Sequence, residues 1–131
     1  QPMNTEDDNF KSLSNNKFAN WMADEDCQSI DDLEKLQSHY QSINIKLVKC
    51  GGLTPALTLI TAARKLNFKI MIGCMTESSI GISAGAVLAP LCDFADLDGA
   101  TLIANDVAKG SLIENGIVKL SHDFGLGIRL I

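Results

Sequence analysis

Lys46 lies inside a short apolar run, NIKLVKCGG (residues 44–52), which two glycines terminate. Apolar and polar residues alternate from residue 43 to residue 49, and this alternation with β-branched side chains predicts a strand. The face that carries Lys46 would point into a parallel barrel near the carboxyl end of the strand, where barrel enzymes place their chemistry. We therefore predict that Lys46 is catalytic. Lys49 has the opposite parity and is expected to be structural.

A carboxylate ends the strand predicted before this one. Residues 18–25, FANWMADE, predict a strand in which Asp24 would point inward at the carboxyl end. Asp26 shares the parity of Asp24, so it stays the main alternative for any role that Asp24 is given. A surface role or a helix-capping role for Asp24 is the structural alternative.

Two more carboxylates follow in the last of four predicted strands. Residues 69–75 predict a third strand and residues 94–98 a fourth. In the fourth strand Asp96 and Asp98 share one face, roughly 7 Å apart along the chain. An Asp-Gly step often marks a turn, which is the alternative interpretation of this pair.

Amphipathic segments between the strands predict helices that would cover one face of the sheet. Acidic residues or capping residues precede each of them, as expected at a helix N-terminus. The predicted helices are residues 5–16 with Phe10 and Leu13 buried, a helix to about Tyr40 opened by a capping box at Ser29 with Ile30, Leu33 and Leu36 buried, a helix to about Leu66 opened by Thr54 and Pro55 with Leu57, Ile60 and Ala63 buried, and a small-residue helix from Ser78 or Ser79.

Strands alternating with helices over short connections predict an α/β fold with a parallel sheet and right-handed crossovers. Polar inward residues at the ends of four successive strands favour a TIM-like (β/α) barrel over an open doubly wound sheet. The sequence has no GxGxxG or GxxxxGK[ST] phosphate loop. A whole barrel needs at least about 200 residues, so we expect residues 1–115 to be part of a longer barrel. Residues 116–131 carry short strands and are expected to leave the barrel pattern.

Composition argues against several kinds of partner. Net charge is −5 without a basic run, and five Phe, one Tyr and one Trp offer little stacking surface, so nucleic acid is not expected. No apolar run is long enough for a bilayer, so no membrane partner is expected, and the cysteine pattern below predicts a cytoplasmic protein. The four cysteines form no CxxC pair and are expected to be reduced thiols. A bridge or metal pair between Cys50 and Cys74 is the alternative.

Four segments resemble the second half of the barrel of enolase-superfamily enzymes. They are MADED (22–26), NIKLVKCGGL (44–53), GCMTES (73–78) and DLDG (96–99). The resemblance is to the dipeptide epimerases of the muconate-lactonizing subgroup and covers most of the chain. NIKLVKCGG is typical of the subgroup, and Asp96-Leu97-Asp98 is similar to the Asp-x-Asp with which the epimerases bind an ammonium group.

The resemblance implies a role for each matching residue. Asp24 resembles the third of three carboxylate ligands to an essential Mg²⁺, and Lys46 resembles the second of two acid/base lysines that face each other across the substrate. Asp96 and Asp98 would bind the α-ammonium group of a dipeptide. The residues that match the side-chain pocket are Cys74, Met75 and Thr76, of which Thr76 is at a position associated with specificity.

The resemblance also extends to the chain ends. Gln1-Pro2 is similar to the close of a Glu-Gln-Pro motif, which implies that the second metal ligand lies just upstream. The tail, residues 116–131, would pack with an α+β cap domain. The sequence departs from the family pattern at Asp26, where a serine is common after Asp-Glu.

The implied activity is Mg²⁺-dependent epimerisation of a dipeptide. Two lysines would remove and return the α-proton of the C-terminal residue through an ene-diolate. N-acylamino acid racemase or muconate-type cycloisomerase chemistry is the alternative within the superfamily, and a non-catalytic barrel protein is the alternative outside it. The expected partner is a small dipeptide substrate, and a homo-oligomer is left open.

Overall fold

A parallel sheet of four strands positions the predicted site residues. The computed structural model describes residues 1–4, 6–10, 12 and 19–131. The sheet has the order β1-β2-β3-β4, with β1 at Met22–Ala23, β2 at Ser42–Lys46, β3 at Lys69–Gly73 and β4 at Phe94–Asp96. All neighbouring strands are parallel, so their carboxyl ends meet at one end of the sheet. The predicted α/β fold with a parallel sheet is confirmed.

Helices connect the strands and bury the apolar side of the sheet. They are α1 (Leu33–Gln37), α2 (Leu47–Cys50), α3 (Leu53–Lys65) and α4 (Ser79–Leu88), with 3₁₀ turns at Ile30–Asp32, Ala89–Leu91 and Gly99–Leu102. Ile43 and Ile45 of β2 and Ile70 and Ile72 of β3 are 0% exposed. They join Leu59, Ile60, Ala63, Ile82 and Ala86 of α3 and α4 in one hydrophobic cluster. Each buried isoleucine contributes about 1.5–3 kcal/mol to folding, so this cluster holds the sheet against its helices.

Asp93 joins the start of β4 to β3 and α3. Its Oδ2 accepts hydrogen bonds from the Ile70 N–H at 2.9 Å and from Arg64 Nη1 at 2.5 Å, and its Oδ1 accepts one from Lys69 Nζ at 3.0 Å. The Asp93 N–H donates to the Ile70 carbonyl at 2.8 Å. The hydrogen bond from Ile70, with those from Lys69 and Arg64, holds the pKa of Asp93 well below its usual value.

The C-terminal tail forms two antiparallel pairs outside the parallel sheet. β5 (Ala108–Lys109) pairs with β8 (Arg129–Leu130), and β6 (Leu112–Glu114) pairs with β7 (Ile117–Lys119). Asn115 and Gly116 join β6 to β7 with φ of 53° and 75°, the left-handed conformation of tight hairpin turns. The expected boundary between residues 115 and 116 falls in this turn, and the division into two units stays a prediction.

The strand predicted over residues 43–49 is wrong beyond Lys46. From Leu47 the chain forms the one-turn helix α2, which Gly51 ends with φ of 96° as its N–H donates to the Leu47 carbonyl at 3.0 Å. Gly52 follows with φ of 114°. Two successive left-handed residues require glycines, so the Gly-Gly pair terminates a helical turn and not a strand.

The predicted helix that became α3 is confirmed but begins two residues earlier than predicted. Gly52, and not Thr54, is its N-cap residue, and Leu53 is its first residue. Leu57 is 47% exposed, whereas Leu59 is 1% exposed and Ala56 0%. Successive residues of a helix point in directions that differ by 100°. A buried stripe predicted from apolar residues at i, i+3 spacing can therefore include Leu57 in place of the adjacent Ala56, which is the buried residue.

The capping box at Ser29 is confirmed, since the Ser29 N–H donates to Asp32 Oδ2 at 2.7 Å while the Ser29 side chain caps the turn. Ile30, predicted buried, is 47% exposed, whereas Leu33 and Leu36 are buried as predicted. The strand predicted over residues 18–25 is too long, because β1 comprises only Met22–Ala23, and Phe18 lies outside the described residues. Of the helix predicted over residues 5–16, the structure describes residues 6–10 and 12, among which Phe10 is buried.

The third and fourth strands are shorter than predicted, because β3 ends at Gly73 and β4 at Asp96. All four cysteines are free thiols, so the alternative of a Cys50–Cys74 bridge is wrong. Burial raises the pKa of Cys27 to about 12, which makes it an unreactive core residue. In the described part of the chain, no helix has the length and apolarity needed to cross a membrane.

The contacts of Asp93 lead to a prediction about stability and pH. Asp93→Asn keeps one oxygen for Ile70 but loses the charge that attracts Arg64 and Lys69. In the complete protein we expect the free energy of unfolding to fall by about 1 kcal/mol at pH 7, since solvent screens the ion pairs.

The folded pKa of Asp93 lies below the unfolded value of about 3.9, so its stabilisation is fully present above that value and is lost as the pH falls through the folded pKa. Urea unfolding of both proteins from pH 7 to pH 3 should show the difference shrinking below about pH 4. A difference that stays constant across this range would contradict the assignment.

Candidate active site

Two lysines share the carboxylate of Asp24. Lys46 Nζ lies 2.8 Å from Asp24 Oδ2, and Lys49 Nζ lies 2.5 Å from Asp24 Oδ1. Lys49 Nζ also donates to the Asp24 backbone carbonyl. The side chains of Asp24, Lys46 and Lys49 are 18%, 15% and 13% exposed, so these three residues, the Asp24 cluster, are mostly withdrawn from solvent.

The local fold explains why both lysines reach one carboxylate. Lys46 is the last residue of β2, and Asp24 follows the end of β1, the neighbouring strand. Lys49 lies in α2, where residues three apart fall on nearly the same side of the helix. The alternation of strand residues therefore ends at Lys46. The prediction that Lys49 points to the opposite face from Lys46 is wrong.

Gln1 fixes the segment that carries Asp24. Its Oε1 accepts hydrogen bonds from the N–H groups of Asp24 at 3.0 Å and Asp26 at 3.1 Å. Sequence reasoning did not find this contact, because it joins residues more than 20 positions apart without any periodic signal. Asp24, and not its alternative Asp26, is the residue whose carboxylate lies between Lys46 and Lys49.

The Asp24 carboxyl is ionised at neutral pH. Partial burial works against the charge, but the hydrogen bonds from Lys46 and Lys49 outweigh it, and the pKa of Asp24 lies below its usual value. An ionised carboxylate is a hard oxygen ligand of the kind that Mg²⁺ prefers. Asp24 therefore fits the role of one metal ligand.

Asp24 does not form a complete metal site within the described part of the chain. There, no group of three or more His, Cys, Asp and Glu side chains is placed to hold an ion. Mg²⁺ requires octahedral coordination, so its other ligands must come from groups besides Asp24. Each Asp24 oxygen contacts one lysine and keeps a further lone pair that an ion could use.

Asp96 and Asp98 lie at the end of β4, beyond β3. Asp96 ends the strand, whereas Asp98 has helical φ and ψ of −86° and 0° and precedes the 3₁₀ turn Gly99–Leu102. The prediction that alternation in a strand places both on one face is therefore wrong for Asp98. Both residues are exposed, so their carboxylates are available to a ligand.

The loop after β3 lies beside these two aspartates. Cys74 is half-buried, and Met75 and Thr76 are exposed. Burial raises the pKa of the Cys74 thiol. Its Sγ would lie 3.1 Å from a Cβ atom at Gly99, the residue directly after Asp98. The predicted pocket residues and the predicted ammonium-binding pair thus lie together.

The sheet register relates the two groups of charges. Lys46 and Asp96 pair with Gly73 from opposite sides. Two strand spacings separate their backbones, which corresponds to about 10 Å. Gly73 contributes no side chain between them. Lys46, which contacts the Asp24 carboxylate, thus lies on one side of Gly73, and the carboxylates of Asp96 and Asp98 lie on the other.

Several known proteins are similar to this chain in sequence. The family model described as Enolase C-terminal domain-like matches residues 1–131. An L-Ala-D/L-amino acid epimerase of Flavobacterium johnsoniae is 43% identical over 132 residues, covering 100% of this chain and 39% of that protein. An N-acetyl-D-glutamate racemase of Pseudoalteromonas sp. is 46% identical over 84 residues, covering 64% of this chain and 27% of that protein.

A solved structure is similar in fold as well. The dipeptide epimerase from Methylococcus capsulatus, complexed with Mg and the dipeptide L-Arg-D-Lys, has a TM-score of 0.77 and 38% identity, covering 82% of this chain and 32% of that chain. This chain therefore spans less than two fifths of the length of each of these proteins.

The role of Lys49 in the Asp24 cluster can be measured as stability. Lys49→Met removes a charged donor from Asp24 Oδ1 and from the Asp24 carbonyl, both mostly buried. We expect the free energy of unfolding of the complete protein to fall by about 1–2 kcal/mol, since loss of these hydrogen bonds outweighs relief of repulsion between the two lysines.

Lys35→Met is the matched control for chemical denaturation. Lys35 pairs with Glu6 at 3.2 Å, but the two side chains are 58% and 77% exposed. The change for this variant should stay within about 0.5 kcal/mol. Equal effects of the two substitutions would show that Lys49 is an ordinary surface lysine.

Proposed function

Because the chain belongs to the enolase C-terminal domain-like family, we propose that the complete protein is a Mg²⁺-dependent dipeptide epimerase. The observation that carries this proposal is the arrangement of two opposite charge groups at one end of the sheet. The Asp24 cluster offers an ionised metal ligand and a lysine, and Asp96 and Asp98 offer two exposed carboxylates about 10 Å away. The dipeptide epimerase names of similar proteins support the same activity.

The substrate proton that must move is very weakly acidic. It lies next to a carboxylate, and its removal places a second negative charge on that group. A bound Mg²⁺, held by Asp24 and other ligands, would offset this charge. Side chains of the protein must accept the proton and return it.

Lys46 is the residue of this chain that we propose as acid and base. It can accept a proton only as a neutral amine, and we propose that its Nζ leaves Asp24 Oδ2 to reach the substrate Cα. Lys49 keeps the Asp24 carboxylate in place through Oδ1 and the backbone carbonyl while this happens. Inversion of configuration requires a second proton donor on the opposite face of the substrate, which we assign to another lysine of the complete protein.

Asp96 and Asp98 give the site its preference for a dipeptide. An extended dipeptide spans at most about 7 Å, so with its C-terminal Cα near Lys46 its ammonium group can reach side chains from β4. A cationic amine held by two carboxylates makes strong, charge-assisted hydrogen bonds. Cys74, Met75 and Thr76 lie between these groups, and we propose that they contact the substrate side chains.

A second candidate is racemisation of an N-acylamino acid. The 46% identity to an N-acetyl-D-glutamate racemase favours it. The reaction would keep Asp24 and Lys46 in the same roles. An acylated amine is neutral, however, and would leave Asp96 and Asp98 without a partner, which is costly where water is excluded. The epimerase is therefore the better fit.

Deuterium exchange separates the two activities. The complete protein with Mg²⁺ in D₂O is offered a dipeptide and, separately, an N-acylamino acid. We expect deuterium at the Cα of the C-terminal residue of the dipeptide, detected by NMR. Lys46→Met should slow exchange by at least about 100-fold, because one of the two proton-transfer groups is lost.

Lys65→Met is the control, since Lys65 is exposed and ends α3, which leads to the amino end of β3; its exchange rate should match the unmodified protein. Deuterium that enters only the N-acylamino acid would reject the epimerase proposal. Unchanged exchange in Lys46→Met would reject the role of that lysine.

A further inference from the structure

Gly99 packs so closely on the end of β3 that no other residue fits in its place. A Cβ atom at Gly99 would lie well under 3.0 Å from the Met75 carbonyl oxygen and 3.1 Å from Cys74 Sγ. Real Cβ atoms essentially never approach backbone this closely. Since the obstacle is a backbone oxygen, it cannot move aside as a flexible side chain would.

Cys74 packs on the same peptide. Its Sγ would lie 3.1 Å from a Cβ atom at Gly99, so the thiol fills the space beside Gly99. The thiol is half-buried and lies directly after β3, which the sheet fixes by its pairing with β2 and β4. The Asp98–Gly99 peptide thus lies against the β3 end through two close contacts, one with the Met75 carbonyl and one with Cys74 Sγ.

The other residue between the acids is fixed from the opposite side. Leu97 is 3% exposed and packs on α4 at Gly85, where a Cβ atom would lie 3.0 Å from Leu97 Cδ2. The Asp98 carbonyl accepts hydrogen bonds from the N–H and the hydroxyl of Thr101, at 2.9 and 2.7 Å. Along residues 96–99, the closely packed residues Leu97 and Gly99 therefore alternate with the exposed acids Asp96 and Asp98.

The carboxylates themselves have no comparable restraint. Asp96 and Asp98 are exposed, and neither is part of a salt bridge within the described residues. Their separation and direction therefore depend on the backbone that carries them. Two exposed like charges close together repel each other, so an unrestrained backbone would let them spread apart.

We propose that Gly99 and Cys74 are positioning residues for recognition of the substrate ammonium group. They hold the Asp98–Gly99 peptide against the end of β3, and so set the separation of the Asp96 and Asp98 carboxylates. This inference rests on the proposed function and adds to it the residues that make the ammonium site selective. It also makes the ammonium site and the Cys74–Thr76 loop one unit.

The test measures selectivity for the free amine in the complete protein. The readout is the Ki of an N-acetylated dipeptide divided by the KM of the same dipeptide with its free amine. Gly99→Ala displaces the Asp98 peptide, so we expect this ratio to fall between about tenfold and 100-fold through a raised KM, with kcat changed by less than about threefold.

Gly127→Ala is the matched control. It is also a glycine-to-alanine change at a buried, closely packed glycine, but its Cβ would meet Ser121 of the tail, outside the DLDG segment. The ratio should stay within about twofold of the unmodified protein. An equal fall of the ratio in both variants would mean general loss of packing and would overturn the proposal.

Cys74 supplies a second test that does not depend on tolerance of an added methyl group at Gly99. Cys74→Ala removes the sulfur that lies against Gly99, whereas Cys74→Ser keeps a side-chain atom in its place. We expect the ratio to fall by about threefold or more in the alanine variant and to recover in the serine variant. Equal ratios in the two variants would count against the proposal.

Asp98→Asn separates failure of this inference from failure of the proposed function. If Asp98→Asn leaves the ratio unchanged, the ammonium site is absent and the proposed function fails with it. If Asp98→Asn lowers the ratio and Gly99→Ala does not, only the positioning role fails. The proposal predicts that Gly99→Ala as a single substitution lowers the ratio. In the Asp98→Asn background it should cause no further fall, because both changes remove the same contact.

Discussion

The candidate site depends on one ionised carboxylate held between two ammonium groups. Asp24 is 18% exposed; burial alone would raise its pKa, but the hydrogen bonds from Lys46 and Lys49 bring it below its usual value. One carboxylate and two lysines leave a net positive charge. The cluster therefore has one lysine more than Asp24 needs, and this excess allows Lys46 to leave Asp24 while Lys49 stays in place.

The parallel sheet turns this cluster into part of a larger site. Because all four strands run in the same direction, Asp24, Lys46, the loop after Gly73 and Asp96 project from the same end. The buried isoleucines of β2 and β3 fix the register on the opposite side of each strand. Packing of the core against α3 and α4 thus determines how far apart the charged groups lie.

Strand alternation predicted the position of Lys46 at the end of β2, but it left Asp24 and Asp26 as alternatives, between which the resemblance to a family favoured Asp24. The resemblance to a family added the roles of Asp96 and Asp98. Alternation failed where strands ended early: Lys49 turns toward Asp24 in a one-turn helix, and Asp98 lies beyond β4. The contacts of Gln1 and Gly99 could not be predicted, since they join distant segments at a spacing no periodic pattern records.

The most direct test of the central claim is a crystal structure of the complete protein with Mg²⁺ and a dipeptide bound. The account predicts an Asp24 oxygen about 2.0–2.1 Å from the ion, Lys49 still on Asp24, and Lys46 Nζ moved from Asp24 to the Cα of the C-terminal residue. An ion bound elsewhere, with both lysines still on Asp24 and the dipeptide away from Lys46, would contradict it.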